Sequence, residues 1–159
     1  MDSKSVTESA GEAADTPKLH LDGLPDLLGF HLRLAHVAMY RDFTTALADL
    51  DLTQKQCATL QLIAANPGVS QVDLAATLGT DRATMMATVD RLEQRGCLLR
   101  TRSLSDRRRQ ELNLTPEGEA ILARAMHAIG AHERHFTSRF TPAELKALVN
   151  ALGRIHRQV

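Results

Sequence analysis

Aromatic side chains are scarce in this chain: four Phe, one Tyr and no Trp among 159 residues. A core without rings is aliphatic and Ala-rich, which suits packed helices better than a β-sandwich. So few rings also argue against a surface that stacks the bases of single-stranded nucleic acid. Cysteine is nearly absent as well. Cys57 and Cys97 are too few for a disulfide scaffold and suit a reducing cytoplasm. No run of 18 apolar residues exists, so neither a transmembrane helix nor a membrane partner is expected.

Neither sign of charge is in excess: Lys plus Arg and Asp plus Glu both number 19, giving a formal net charge of zero. That excludes a uniformly basic nucleic-acid binder but leaves room for a local basic stripe. Catalytic signatures are missing too. There is no His-Glu-x-x-His, nucleophile elbow or phosphate loop, so no enzyme and no cofactor are expected. The first 18 residues lack an apolar central stretch and carry Asp2, Glu8, Glu12 and Asp15. They read as neither a signal nor a transit peptide. They belong instead to a disordered acidic tail, residues 1–22, of a cytoplasmic protein.

What is present is helical. Leu28, Leu32, Ala35, Met39 and Phe43 recur at three- and four-residue steps, and Leu47 and Leu50 continue the stripe. This predicts one long helix from Pro25 to Leu50. Thr53 with Gln56 fits a capping box before Cys57, Leu60, Leu62 and Ile63, and Asn66-Pro67-Gly68 ends that helix. Ser70 with Asp73 starts a third helix that Gly79 stops, and Thr80 is placed to cap a fourth, Asp81 to Arg95. Two helices joined by a short break around a Gly make a helix-turn-helix. The period then changes. Residues 97–101 and 110–114 read as paired strands around an arginine-rich tip, a wing. Thr115-Pro116 opens a long helix to about Phe140, and Thr141-Pro142-Ala143-Glu144 opens the last one.

Charge is separated along the chain. Residues 82–109 hold eight Arg, no Lys and three acids, for +5, whereas residues 1–26 carry −4. A charge run is usually a solvated face. Arginine alone, however, forks onto phosphate and fits the minor groove, which favours duplex DNA. On the fourth helix Met85, Val89 and Leu92 face inward. Ala83, Ala87 and Asp90 lie opposite, flanked by Thr84, Met86 and Arg91. That face is expected in the major groove, with small residues permitting close approach and Ala or Met touching thymine methyls. The candidate DNA contacts are Ser70, Thr80, Arg82, Ala83, Thr84, Met86, Ala87, Thr88, Arg91, Arg107, Arg108 and Arg109.

The first helix sets His36 and Tyr40 one turn apart, with Arg33, Met39 and Phe43 nearby. An imidazole, a phenol and a guanidinium on an apolar wall suit an aromatic acid. The alternative is that His36 and Tyr40 simply pack in a core or an interface. Cys57 and Gln61 are candidates for the far wall. His127, His132 and His135 have poor spacing for a metal, and none is expected.

Several segments in order resemble the MarR-type winged helix-turn-helix regulators: Leu52-Thr53 with Gln56, Pro67-Gly68-Val69-Ser70-Gln71-Val72-Asp73-Leu74-Ala75, Asp81-Arg82-Ala83-Thr84, Arg91-Leu92-Glu93-Gln94-Arg95-Gly96, Asp106-Arg107-Arg108 and Leu114-Thr115-Pro116-Glu117-Gly118. The resemblance runs from about residue 28 to the C-terminus. It implies a mainly helical fold with a small β-hairpin wing and a helical dimerisation layer, in one domain over residues 23–159. Residues 23–50 and 116–159 would be dimerisation helices, and 53–115 the DNA-binding lobe. It further implies a homodimeric repressor on a pseudo-palindromic operator. A small aromatic carboxylate or phenol would release it from a pocket between layer and lobe; the free acid and a larger conjugate such as its coenzyme A thioester are both open. Arg108 would be the wing residue in the minor groove, with Asp106 and Arg107 shaping the tip. Met86 and Ala87 stand where many relatives carry polar or basic readers, and the N-terminal cysteine of the peroxide-sensing branch is absent. The alternatives are a redox- or zinc-sensing regulator of the same type, and a helical interaction module that does not bind DNA.

Overall fold

The computed structural model describes residues 19–102 and 110–156. The chain divides into two units at Ala35 and His36. In the first, Asp22 turns the backbone at φ 51°, and Pro25 sits in a 3₁₀ turn over Leu24–Asp26. The Pro25 carbonyl accepts from His31 Nε2 at 2.7 Å. Leu19, Leu24, Leu27, Leu28 and Leu34 remain exposed here. Helix α1, Leu28–Ala46, begins in this unit and ends in the second.

The single helix predicted from Pro25 to Leu50 is therefore α1 flanked by two 3₁₀ turns, Leu24–Asp26 and Ala48–Leu50. The apolar stripe hides the second break because the turn still points Leu47 and Leu50 into the core. Asp51, left-handed at φ 46° and ψ 48°, ends the segment.

Helix α2, Gln54–Ala65, starts at the predicted capping box. Gln56 N donates to Thr53 Oγ1 at 3.2 Å, and Thr53 N donates to Gln56 Oε1 at 2.9 Å. Helix α3, Gln71–Thr77, is capped by Ser70, and α4, Arg82–Gln94, by Asp81. Thr80, expected to cap α4, instead accepts from Lys55 Nζ at 3.3 Å. Asp81 takes the cap because its carboxylate reaches both the N–H and the hydroxyl of Thr84, at 2.8 and 2.6 Å.

Strands β1, Leu98–Arg102, and β2, Gln110–Leu114, pair antiparallel with Arg100 opposite Leu112. Cys97, predicted to open the first strand, does not. Its N–H bonds the Leu92 carbonyl at 2.9 Å while Gly96, at φ 69°, bonds Glu93 at 2.8 Å, and together they close α4. Val69 bridges Leu112 from the other side, a pairing that the turn signal at Asn66-Pro67-Gly68 did not disclose.

Helix α5, Pro116–Thr137, stops earlier than the predicted Phe140. Its start is fastened to the hairpin. Thr115 N bonds the Cys97 carbonyl at 3.1 Å, and a Cβ at Gly118 would lie 1.8 Å from that oxygen, so only glycine fits. Helix α6 spans Pro142–His156. The core gathers Phe43 and Leu47, Leu60 and Ile63 of α2, Leu74 of α3, Met85, Val89 and Leu92 of α4, the strand residues Leu98 and Leu112, and Ala125 of α5. No helix among the described residues is long and apolar enough to cross a membrane.

Candidate nucleic-acid interface and ligand cleft

Helix α4 turns Met85, Val89 and Leu92 fully into the core, and that fixes what it presents outward. Arg82, Ala83, Met86, Ala87 and Arg91 are exposed, Met86 at 51%. The outer face thus consists of two small side chains, one thioether and two guanidinium groups. Thr84 and Thr88 are partly buried, and their hydroxyls bond within the helix. Thr84 donates to Asp81 and Thr88 to the Thr84 carbonyl at 2.9 Å, so each offers a partner mainly its acceptor lone pairs. The Asp81 carboxyl is held below the usual range by the hydrogen bonds from Thr84. Ser70 accepts from Asp73 N at 3.2 Å and donates to the Asp73 carboxylate at 2.7 Å, so its hydroxyl serves the start of α3.

The basic stripe is smaller than the sequence count suggests. Arg100 is anchored by Asp90 and Glu93, which removes one cation and also takes Asp90 away from the outward face assigned to it. Arg95 turns from α4 to the carbonyls of Leu50 and Asp51. Arg82, Arg91 and Arg102 remain exposed among the described residues. Arg107, Arg108 and Arg109, with Asp106, lie outside the described residues.

The candidate ligand residues do not all meet. Tyr40 and Phe43 line a cleft of about 200 Å³ with Thr44, Leu47, Ala48, Asp51, Leu52, Thr53 and Gln54. Tyr40 is 50% exposed and Phe43 is buried. His36 is exposed and stacks beside Tyr40 with centroids 5.9 Å apart, and Met39 is partly buried; neither lines the cleft. Arg33 is exposed on α1. Cys57, proposed for the far wall, is buried in the core, and Gln61 is exposed on α2; neither borders the cleft. The polar wall comes from Asp51 and Thr53, between α1 and α2, and from Gln54 at the start of α2, a stretch whose sequence signals only a helix break and a cap.

Sensor chemistry finds little support in the thiols and imidazoles. Burial pushes the Cys57 thiol up to about 11 and raises Cys97 as well. Both thiols are free and buried. Such groups stay protonated and are poor nucleophiles at neutral pH. His132 shares its turn of α5 with His135 but bonds Asp42 through Nδ1 at 2.6 Å. No group of three or more His, Cys, Asp or Glu gathers among the described residues.

A helix-turn-helix with an exposed second helix, followed directly by an antiparallel hairpin, defines a winged helix-turn-helix DNA-binding protein. A sequence model of the MarR family matches residues 50–109. The putative transcriptional regulatory protein for the hcr operon of Thauera aromatica is 38% identical over 132 residues, 82% of this chain and 80% of the relative. The transcriptional repressor CouR bound to a 23-mer DNA duplex superposes with a TM-score of 0.83 at 39% identity, over 87% of this chain and 99% of CouR. CouR bound to p-coumaroyl-CoA gives 0.81 at 37%, over 89% and 100%. The PcaV regulator of Streptomyces coelicolor in complex with its natural ligand gives 0.79 at 28%, over 87% and 96%. The chain belongs to the MarR family and is a transcriptional regulator rather than an enzyme.

Proposed function

We propose that this regulator is a homodimeric repressor of a pseudo-palindromic duplex operator, released when an aromatic acyl thioester or phenol enters the cleft beside Tyr40. The observation that carries the reading is the outer face of α4. Ala83 and Ala87 let the helix backbone approach base edges, Met86 suits a thymine methyl, and Arg82 and Arg91 reach phosphate or guanine. Arg108 of the wing would add a minor-groove contact, as the family resemblance implies. Ser70, Thr80, Thr84 and Thr88 are secondary contacts, since their hydroxyls already serve the fold. CouR, a close structural neighbour, has been solved on duplex DNA and with p-coumaroyl-CoA, which supports both halves of the proposal.

Dimerisation is favoured by uncovered apolar surface. On α6 Leu148, Val149 and Ile155 are exposed, Val149 at 59%. Leucines are equally bare in the unit that ends at residue 35. Apolar surface of that kind marks an interface, and a second copy supplies the same chemistry in return.

The lining of the cleft bears on the effector. Phe43, Leu47 and Leu52 give an apolar floor, and Tyr40 a half-exposed ring at the mouth. About 200 Å³ is below the roughly 300–1,000 Å³ of drug-sized pockets, so it suits one aromatic ring with a short chain. The nucleotide of a coenzyme A thioester would lie outside. The lining holds one ionisable carboxylate, Asp51, and no cation. A free aromatic carboxylate would find no cationic partner in that lining, whereas the thioester or phenol group needs none. A thermal melt with p-coumaroyl-CoA, p-coumarate and coenzyme A tests this reading. The melting temperature is expected to rise most with the thioester, and Tyr40→Ala to weaken its binding about tenfold, corresponding to a ring contact worth about 1.4 kcal/mol. Equal shifts with coenzyme A alone, or an unaltered Tyr40→Ala response, would overturn it.

A further inference from the structure

The cleft and the outward face of α4 lie on different elements, and one side chain joins them. Arg95 is the C-terminal cap residue of α4, where the paired bonds of Gly96 and Cys97 fix the backbone. Its guanidinium leaves the helix and crosses to a segment about 45 residues earlier. Nη2 donates to the Leu50 carbonyl at 2.8 Å, and Nη1 donates to the carbonyl of Asp51. These two carbonyls lie at the C-terminal end of the 3₁₀ turn Ala48–Leu50, which is itself closed by the N–H groups of Leu50 and Asp51 bonding the carbonyls of Leu47 and Ala48. Ala48, Asp51 and Leu52 are also walls of the cleft.

Asp51 matters for a second reason. It sits in the left-handed region at φ 46°, uncommon for a residue other than glycine though open to Asp. Its side chain is fully exposed and lies 4.0 Å from Arg95 Nη1, too far and too wet to enforce anything. The two carbonyl bonds from Arg95 hold this peptide from outside the turn, beside the bond from Asp51 N to the Ala48 carbonyl. A ligand ring pressing on Asp51 and Leu52 would turn the peptide whose oxygen Arg95 holds. The guanidinium would have to follow or let go, and in either case the end of α4 shifts.

We propose that Arg95 is the positioning residue that couples occupancy of the cleft to the placement of α4. It is not a DNA-contacting residue: its guanidinium is committed to these carbonyls, on a helix whose DNA-facing residues are Arg82, Ala83, Met86, Ala87 and Arg91. The inference rests on the reading of the cleft as the effector site and of α4 as the helix that enters DNA.

The test is a thermodynamic cycle on the full chain with p-coumaroyl-CoA as probe. Operator affinity is measured with and without the thioester for wild type, Arg95→Ala and Arg95→Lys, and thioester affinity is measured without DNA. The ratio of the two operator constants is the coupling factor, which typically lies between about 5 and 150. Arg95→Ala is expected to bring that ratio close to one while thioester binding in the absence of DNA changes less than about threefold. Arg95→Lys, which still donates to a carbonyl, is expected to keep an intermediate ratio. A residue that merely staples the lobe would lower the melting temperature in both variants and leave the ratio at its wild-type value. That result overturns the inference. If Arg95→Ala does not fold, Arg95→Lys decides alone, and a wild-type ratio in it is the contrary outcome. A wild-type protein whose operator binding ignores the thioester overturns the effector reading and this inference with it, which separates the two failures.

Discussion

His132 is nearly buried, with the rings of Phe43 and Phe136 edge-on to its imidazole at 5.6 and 5.3 Å, and its Nδ1 bonded to Asp42. The two polar residues are 90 positions apart, so no local pattern could have paired them, and the sequence weighed His132 only as a poor metal ligand. The bond tethers α1 to α5. Asp42→Ala leaves a buried ring nitrogen without its partner, and chemical denaturation is expected to show a loss of about 1–3 kcal/mol. Operator affinity of the folded variant should be unchanged. Cys57 makes a different point. Its apolar surroundings raise the thiol from 9.0 to about 11. The folded state therefore holds this proton more tightly than the unfolded chain does. The stability contributed is complete below pH 9 and is lost as pH rises toward 11. Denaturation midpoints in Cys57→Ser are expected to fall less steeply across that window than in wild type. A thiol probe at pH 7 should label the native protein slowly, which also separates it from a redox sensor.

Among the elements, α4 was the most legible. Its three inward residues follow a 3.6-residue period, and all three are fully buried. The helix starts at Thr53, Ser70 and Thr115 were legible for a related reason, because caps are local chemistry completed within three residues. The start of α4 was missed by one position, since Thr80 and Asp81 are both good caps and only the carboxylate reaches Thr84 twice. The arginine count was misleading where partners are distant. Arg95 and Arg100 read as part of a basic stripe, yet their acceptors lie on other elements. The element therefore predicts its own division of labour. Arg91→Ala removes an exposed cation and is expected to weaken duplex binding several-fold and lower the salt slope by about one, with stability within about 0.5 kcal/mol of wild type. Arg100→Ala should do the reverse, releasing Asp90 and Glu93 and lowering stability more than salt slope. Binding titrations across salt concentration, beside melts, check both.

For the whole molecule, the winged helix-turn-helix class was readable because helix period, turn glycines and cap residues agree over a hundred consecutive positions. The candidate cleft was less legible. Tyr40, named with His36, and Phe43, named from the stripe on α1, both line it, but Asp51, Thr53 and Gln54 follow a 3₁₀ turn that the stripe conceals. Both ends meet in the proposed mode of action: two copies on one duplex, let go by an aromatic thioester. It is tested most directly by fluorescence anisotropy and sedimentation of a labelled duplex selected from genomic DNA by the protein itself, titrated with and without p-coumaroyl-CoA. Two chains per duplex are expected, with affinity that falls steeply with salt and drops between about 5- and 150-fold on adding the thioester. One chain per duplex, or binding no tighter than to a scrambled duplex and indifferent to the thioester, would contradict it.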